Sequence, residues 1–144
     1  MGMADVRAVT PDRWLEEGNT VDAAGATFSV LHCPGHSPGS VVLVNAAQRF
    51  ALVGDVLFRG SIGRTDFPYG DHAALIAAIK TKLLPLGDDF VFICGHGPMS
   101  TIGDERATNP FLRCSDPAIR ANLGMASASD VEVFAELRKR KDNF

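Results

Sequence analysis

The sequence has little of what marks membrane, secreted or nucleic-acid-binding proteins. No apolar run approaches the roughly 18 residues that a transmembrane helix requires, so we expect no membrane partner. Its three cysteines are odd in number and widely spaced, which does not indicate a disulfide framework. A net charge of −3 argues against a nucleic-acid partner. The first residues show no signal-peptide pattern, so a cytoplasmic location is expected.

What the chain does have is an ordinary globular composition with clear strand patterns. Hydrophobic residues make up 46% of its 144 residues and charged residues 22%, which predicts one domain with a real core. Residues 25–33 alternate between two faces, one of which carries Phe28 and Val30. The same reasoning predicts a hairpin of residues 40–44 and 49–53, a buried strand over 90–94, and a glycine- and proline-punctuated loop over 61–69.

Three helices and one short turn carry start signals. Asp71 is placed to cap a helix over residues 72–84, whose apolar residues share one face. The Thr-Pro-Asp segment at 10–12 predicts a short helical turn that reaches Trp14, which we expect to anchor packing. The remaining signals are Asp116-Pro117 with Gly124 for one helix, and Ser129-x-x-Glu132 for the last. Strands that lead into helices in this way predict an α/β architecture.

Three polar side chains with metal-binding chemistry each follow a predicted strand and stand directly after a glycine. They are His36 in CPGHSPG, Asp55 in VGD and His96 in CGHGP. Strands fix such positions, and glycine lets the backbone turn so that the side chains can face a common point. The pattern predicts a metal site with these three residues as ligands. Zinc is the default metal, and iron and manganese are alternatives because the ligands mix nitrogen and oxygen.

The other histidines and cysteines have simpler interpretations. His32 lies four residues before His36, but the intervening proline and glycine forbid a helix that would pair them, so His32 is expected to be structural. His72 stands in the first turn of a predicted helix, where we expect a solvated side chain without a ligand role. Cys33 and Cys94 lie near the predicted ligands. We expect both to be small, buried strand residues, and the alternative is that one of them is a fourth ligand.

Longer segments around these residues carry a family resemblance. They are CPGHSPGSVVLV (33–44), LVGDVLFRGSIGRTDF (52–67), ICGHGPMST (93–101), NPFLR (109–113) and a tail that ends in R-x-x-K-D-x-F. In this order they resemble the metallo-β-lactamase-fold hydrolases, and within them the glyoxalase II (hydroxyacylglutathione hydrolase) group. The resemblance covers only the second half of such an enzyme. The H-x-H-x-D-H cluster, which supplies the other metal ligands in that family, occurs nowhere in the chain.

The resemblance implies an α/β fold, a four-layer αββα sandwich of which this chain supplies part. Residues 1–112 would form the C-terminal half of a metallo-β-lactamase-like domain, and residues 113–144 a helical tail of the glyoxalase II type. Half a sandwich leaves one face of its sheet uncovered, and large apolar patches are rarely left exposed. A homodimer, or a partner that supplies the missing half, is therefore expected.

The resemblance also implies roles for the predicted ligands. In the resembled enzymes two metal ions share a bridging carboxylate and a hydroxide, and they lower the pKa of water and polarise the substrate carbonyl. Asp55 matches the bridging, catalytic carboxylate, His36 a ligand of one metal, and His96 a ligand of the other. Three ligands cannot complete a binuclear site, but they could hold a single ion if the fold brings all three around it.

Basic residues match the glutathione-binding positions of the resembled group. Arg64 corresponds to one such position, and Arg138 and Lys141 match the R-x-x-K of the tail, where a spacing of three puts them on one helix face. A solvated basic helix end is the alternative for these two residues. Asp66 and Pro98 stand where tyrosines are expected, and the GRTDF segment also resembles persulfide dioxygenases.

The main hypothesis is thus a metal-dependent thioester hydrolase of the glyoxalase II type. It would cleave S-D-lactoylglutathione or a related acyl-thiol with a metal-activated hydroxide, and the absence of half the metal site would impair it. Two alternatives stay open. One is a catalytically inactive remnant that folds or dimerises, and the other is an iron-dependent enzyme similar to persulfide dioxygenases.

Overall fold

The structure, a computed structural model, describes residues 7–142. Residues 1–6, where the absence of a signal pattern was noted, lie outside this range. Phe144, the last residue of the tail motif, also lies outside the described residues. No helix within the described range is both long enough and apolar enough to cross a membrane.

A six-stranded sheet forms the centre of the fold. Four consecutive antiparallel strands come first: β1 (Thr20–Ala23), β2 (Ala26–His32), β3 (Val41–Asn45) and β4 (Phe50–Gly54). A separate two-stranded hairpin follows in the chain, formed by β5 (Leu57–Phe58) and β6 (Ser61–Ile62). The central sheet then continues beyond β4 with the parallel strand β7 (Val91–Cys94) and the antiparallel edge strand β8 (Ser100–Thr101).

Four α-helices complete the fold of the described residues. They are α1 (His72–Ala78), α2 (Ile102–Thr108), α3 (Pro117–Leu123) and α4 (Asp130–Asp142). The cap predicted at Asp71 is confirmed, because its carboxylate accepts from the amide of Ala74 at 2.9 Å. Beyond α1 the helix continues as a π-helical turn (Ile79–Leu83) and a 3-10 turn (Leu84–Leu86). The predicted capping box is also present, since Ser129 and Glu132 exchange hydrogen bonds at the start of α4.

The two faces of the sheet differ in how they are covered. One face supplies the main core, where strand residues pack with residues of the helical layer: Val42, Val44, Ala51, Val53, Phe92, Leu75, Ile79, Leu83, Val133 and Phe134. On the opposite face Leu43, Leu52 and Ile93 lie side by side in register. Leu43 and Leu52 are half-buried, and Ile93 is 38% exposed. This apolar face is therefore incompletely covered within the described chain, as the half-sandwich interpretation predicts.

The strands predicted over 25–33, 40–44, 49–53 and 90–94 are confirmed within a residue or two. The predictions for the N-terminal region are wrong. Residues 7–19 contain no helical turn, and Trp14 is 81% exposed instead of anchoring the core. A turn this short is marginal without an apolar face to bury, and only polar residues surround Trp14 and Leu15. The loop predicted over 61–69 begins with β6, whose two residues are too few to form a detectable pattern.

Candidate metal site and cleft

The three predicted ligands meet at one edge of the sheet. His36 follows β2, Asp55 follows β4 directly, and His96 follows β7. Because β4 and β7 are parallel neighbours, their carboxyl ends lie together, and the amide of Gly95 continues the pairing by donating to the carbonyl of Gly54 at 2.8 Å. The sheet topology therefore places Asp55 next to His96, while the loop after β2 brings in His36 from the other side.

The Asp55 carboxylate lies between the two imidazoles, with one oxygen toward each. His36 Nε2 is 3.5 Å from Oδ2, and His96 Nδ1 is 3.4 Å from Oδ1. The donors thus fall into two pairs that share one carboxylate. Among residues 7–142 no three His, Cys, Asp or Glu side chains form a group that could hold an ion by themselves. The three donors are therefore not gathered around one point, as a single ion held by all three would require.

The orientation of His36 follows from its backbone partner. Its Nδ1 lies 2.8 Å from the carbonyl oxygen of Arg64. A carbonyl can only accept, so Nδ1 donates to it, and in the neutral imidazole the lone pair is then on Nε2, the ring nitrogen near Asp55. An imidazole lone pair and a carboxylate oxygen at 3.5 Å repel one another unless a cation or a proton lies between them. The geometry is therefore suited to a bound cation.

Glycines at the site are there because neighbouring atoms leave no space for a side chain. A Cβ on Gly35 would overlap Leu75 of α1, and the φ of Gly35 is 141°. A Cβ on Gly95 would lie 2.5 Å from Asp55 Oδ1. The loop that carries His36 is thereby packed directly on α1, and the loop that carries His96 directly on Asp55.

A cleft of about 370 Å³ opens beside the three predicted ligands. Its other charged lining residues are Arg59, Arg64, Arg138 and Lys141, so the cleft carries positive charge. Sequence reasoning had singled out all of these cations except Arg59. The available signal for Arg59 was its place in the segment that joins the Asp55 and Arg64 motifs.

The three predicted substrate-binding residues differ in their surroundings. Arg64 forms a two-pronged ion pair with Asp66 at 2.7 and 3.0 Å, and this guanidinium lowers the pKa of the Asp66 carboxyl. Arg138 is only 6% exposed and donates to the backbone carbonyls of Ile62 and Gly63. Lys141 is exposed at the mouth of the cleft. The alternative of a solvated basic helix end is therefore wrong for Arg138, and glutathione binding by these residues stays a prediction.

Two other histidines lie away from the ligand cluster. His32 Nε2 lies 2.7 Å from the carbonyl of Pro38, which agrees with the structural role expected for it. The expectation of a solvated His72 is wrong. His72 Nδ1 lies 2.5 Å from Thr65 Oγ1, and its ring meets Phe134 edge-on at 5.1 Å. Burial, with a contribution from the charge of Arg138, lowers the pKa of His72.

The cysteines also differ from one another. Cys33 is fully buried as expected, and burial raises the pKa of its thiol to about 11. Cys94 is only half-buried and lines the cleft, where its thiol donates to the carbonyl of His96 at 3.1 Å. Cys94 is thus a strand residue as expected, but it is only half-buried. The hydrogen bond from its thiol joins Sγ to the backbone of the loop that carries His96.

Known proteins resemble this chain in sequence and in fold. The family described as Metallo-beta-lactamase superfamily matches residues 3–96, and the one described as Hydroxyacylglutathione hydrolase C-terminus matches residues 96–144. Hydroxyacylglutathione hydrolase GloC of Haemophilus influenzae is 50% identical over 112 residues, which cover 77% of this chain and 53% of that protein.

Solved structures also share the fold. TTHA1623 in a di-iron-bound form has a TM-score of 0.64 and 47% identity, and the match covers 72% of this chain and 50% of that one. ETHE1 from Myxococcus xanthus has a TM-score of 0.68 and 25% identity, over 87% of this chain and 50% of that one. The chain thus spans about half the length of these relatives.

Proposed function

The chain belongs to the metallo-beta-lactamase superfamily, and we propose that it contributes one share of the active site of a metal-dependent thioester hydrolase of the hydroxyacylglutathione hydrolase type. The observation that carries the proposal is the Asp55 carboxylate held between two imidazole nitrogens at 3.5 and 3.4 Å. The similarity to hydroxyacylglutathione hydrolases over both parts of the chain supports the reaction class.

The donor chemistry fits a divalent metal. His36 with one Asp55 oxygen would hold one ion, and His96 with the other oxygen a second ion. A bound metal would supply hydroxide near neutral pH and polarise the thioester carbonyl. Zinc is our first choice because imidazole and carboxylate suit it, and the di-iron form of TTHA1623 supports iron as the main alternative. Manganese is the third candidate.

Two donors for each ion are fewer than the three protein ligands of an ordinary catalytic zinc site. We propose that the missing donors come from a segment outside these 144 residues, on the same polypeptide or on a partner. The His96 side chain is 80% exposed, so one side of the site is open to such a segment. The partly exposed sheet face with Leu43, Leu52 and Ile93 would contact it. The candidates are a second copy of this chain and a polypeptide that carries the H-x-H-x-D-H half.

The cleft supports an anionic acyl-thiol as the substrate. Glutathione carries two carboxylates, and we propose that Arg64, Arg138 and Lys141 form its positive surroundings, with S-D-lactoylglutathione as the model substrate. Arg64 already pairs with Asp66, so a glutathione carboxylate would have to share or displace that partner. A cytoplasmic location, where glutathione is abundant, and the division into residues 1–112 and 113–144 remain parts of this proposal.

One other function has specific support. The similarity to ETHE1 and to a di-iron form supports the iron-dependent enzyme related to persulfide dioxygenases. The catalytically inactive remnant, which would bind a partner without turnover, stays an alternative that the test below distinguishes.

The test combines metal content with activity. The chain is loaded with zinc, iron or manganese, alone and with a polypeptide that carries the H-x-H-x-D-H half, and bound metal is measured after desalting. Thiol release from lactoylglutathione and oxygen uptake with glutathione persulfide are measured on the same samples.

We expect metal retention and thioester cleavage in the complemented sample, abolished by Asp55→Ala and retained in the control His32→Ala. Equal metal content in both variants would refute the site. Oxygen uptake with iron and no thiol release would favour the dioxygenase. Metal binding without either reaction would favour the remnant.

A further inference from the structure

We propose that Arg138 is a positioning residue that orients the His36 imidazole through the backbone of residues 62–64. It acts from α4, which contributes none of the predicted metal ligands. The proposal rests on the proposed function in one respect, that His36 is a metal ligand. The contacts that carry it are independent of any metal.

The first step is the hydrogen bonding of Arg138 to the backbone. Its side chain is buried, and Nη2 donates to the carbonyl of Ile62 and, at 3.1 Å, to that of Gly63. The guanidinium also lies 4.9 Å from the centre of the Phe111 ring. A charged planar donor in a buried position forms strong, directional bonds, and it fixes the two carbonyls that it holds.

The second step is the packing of the segment that Arg138 holds. The amide of Gly63 donates to the carbonyl of Val56 at 3.1 Å, so both polar groups of this residue are bound. A Cβ on Gly63 would overlap the Asp55 carbonyl and would lie 3.1 Å from His36 Cβ. The backbone at Gly63 therefore lies in close contact with Arg138 on one side and with Asp55 and His36 on the other.

The third step leads to the imidazole itself. The next carbonyl along the chain, that of Arg64, accepts from His36 Nδ1 at 2.8 Å. This bond selects the tautomer in which the lone pair of Nε2 faces Asp55. The direction of the Arg64 carbonyl depends on the peptide planes before it, and Arg138 holds the carbonyls of those planes. Removing the guanidinium would leave them without their buried donor, so the segment would turn toward water.

Packing of α4 keeps Arg138 in place. Val133 and Phe134, one turn earlier on the helix, are fully buried in the core. Phe134 also contacts His72, which is hydrogen-bonded to Thr65, the residue after the Arg64 carbonyl. The tail helix thus holds the 62–65 segment at both ends, which explains why a segment without ligands is part of the site.

The test uses histidine labelled with ¹⁵N in the metal-free 144-residue chain. Long-range proton–nitrogen NMR correlations distinguish the two neutral tautomers at a pH where an ordinary imidazole is uncharged. We expect wild-type His36 to carry its proton on Nδ1. In Arg138→Met the two ring nitrogen signals should move toward each other, as the imidazole samples the Nε2-protonated form that free histidine prefers.

Arg140→Met is the matched control. It removes the same side chain from the same helix, and Arg140 pairs with Glu136 at 2.8 Å on the exposed side. His32, whose Nε2 faces the Pro38 carbonyl, serves as an internal reference that neither variant should change. A His36 spectrum in Arg138→Met that matches wild type and Arg140→Met would overturn the proposal.

If circular dichroism shows that Arg138→Met does not fold, Arg138→Lys is measured in the same way. Lysine keeps the charge but lacks the flat guanidinium that lies over the Phe111 ring, so its ammonium is not held in the same direction against the Ile62 and Gly63 carbonyls. We expect an intermediate shift of the His36 signals, and an unchanged spectrum would again overturn the proposal. Neither readout needs metal or substrate, so failure of the hydrolase proposal and failure of this one are separate results.

Discussion

Replacement of Glu105 by alanine should be among the most destabilising single changes in the chain. Glu105 lies in α2 and is 1% exposed. Its carboxylate accepts from the amide of Gly60 at 2.7 Å, from Ser100 Oγ at 2.6 Å and from Asn109 Nδ2 at 2.9 Å. These donors belong to the loop after β5, to β8 and to the end of α2. One buried carboxylate therefore joins the segments that follow Asp55 and His96.

The magnitude follows from what replaces each bond. Gly60 is exposed and Ser100 half-buried, so water can substitute for the carboxylate at these two donors. Asn109 is fully buried, although its Nδ2 keeps a bond to the Ser61 carbonyl at 3.0 Å. Loss of three bonds to a charged acceptor, partly compensated in this way, should lower the free energy of unfolding by about 2–4 kcal/mol.

The assay is urea unfolding followed by circular dichroism. With an m value of about 2 kcal/mol per molar urea, the expected loss moves the midpoint by roughly 1–2 M. Asp104→Ala is the control, because Asp104 is the neighbouring, exposed acid of α2, and its loss should cost no more than about 0.5 kcal/mol. Equal midpoints for the two variants would refute the reasoning.

Three further predictions concern the ligand loop, a histidine and the sheet face. Gly35→Ala should lower the free energy of unfolding by more than about 2 kcal/mol, because its φ of 141° and the close approach of α1 exclude a side chain. Gly39→Ala, with open space around it, should change that free energy by less than about 0.5 kcal/mol, and equal urea midpoints would contradict the comparison. Burial lowers the pKa of His72 from 6.5, so the unfolded chain binds this proton more readily. The free energy of unfolding should therefore fall as the pH drops below about 6.5, and His72→Gln should make this fall less steep. If wild type and variant lost stability equally with pH, His72 would not be the cause. Ile93→Glu should shift any self-association seen by sedimentation toward the monomer, and a wild-type monomer throughout the micromolar range would exclude a homodimer.

The predicted ligands could be found from the sequence because their signals are local. Each of the three stands directly after a glycine and follows a strand pattern, whereas the pairing of β4 with β7 was not predicted. The capping residues Asp71, Asp116 and Ser129 were predictable for the same reason, since each acts on amides within one turn of itself.

The role of Arg138 could not be predicted in this way. A basic residue near the end of a helix normally remains in solvent, and its burial depends on carbonyls of Ile62 and Gly63 that are distant in the sequence. The position of α2 was missed although Thr101 caps it, because the helix has only seven residues and its buried acid, Glu105, interrupts the apolar pattern. Partners remote in sequence thus decide the burial of Arg138, whereas α2 is too short to show an apolar pattern.

The parallel pairing of β4 with β7 determines when the ligand cluster can form during folding. Short connections join β2, β3 and β4, whereas β7 reaches β4 only after α1 and its following turns have been placed. Non-local pairing carries a larger loop-closure cost and is slower than hairpin formation. We therefore expect amides of β2 and β3 to gain protection before those of β7 in pulsed hydrogen exchange, and simultaneous protection would contradict this order. A metal ion present throughout refolding would then meet His36 and Asp55 first, and His96 only when the last central strand has docked.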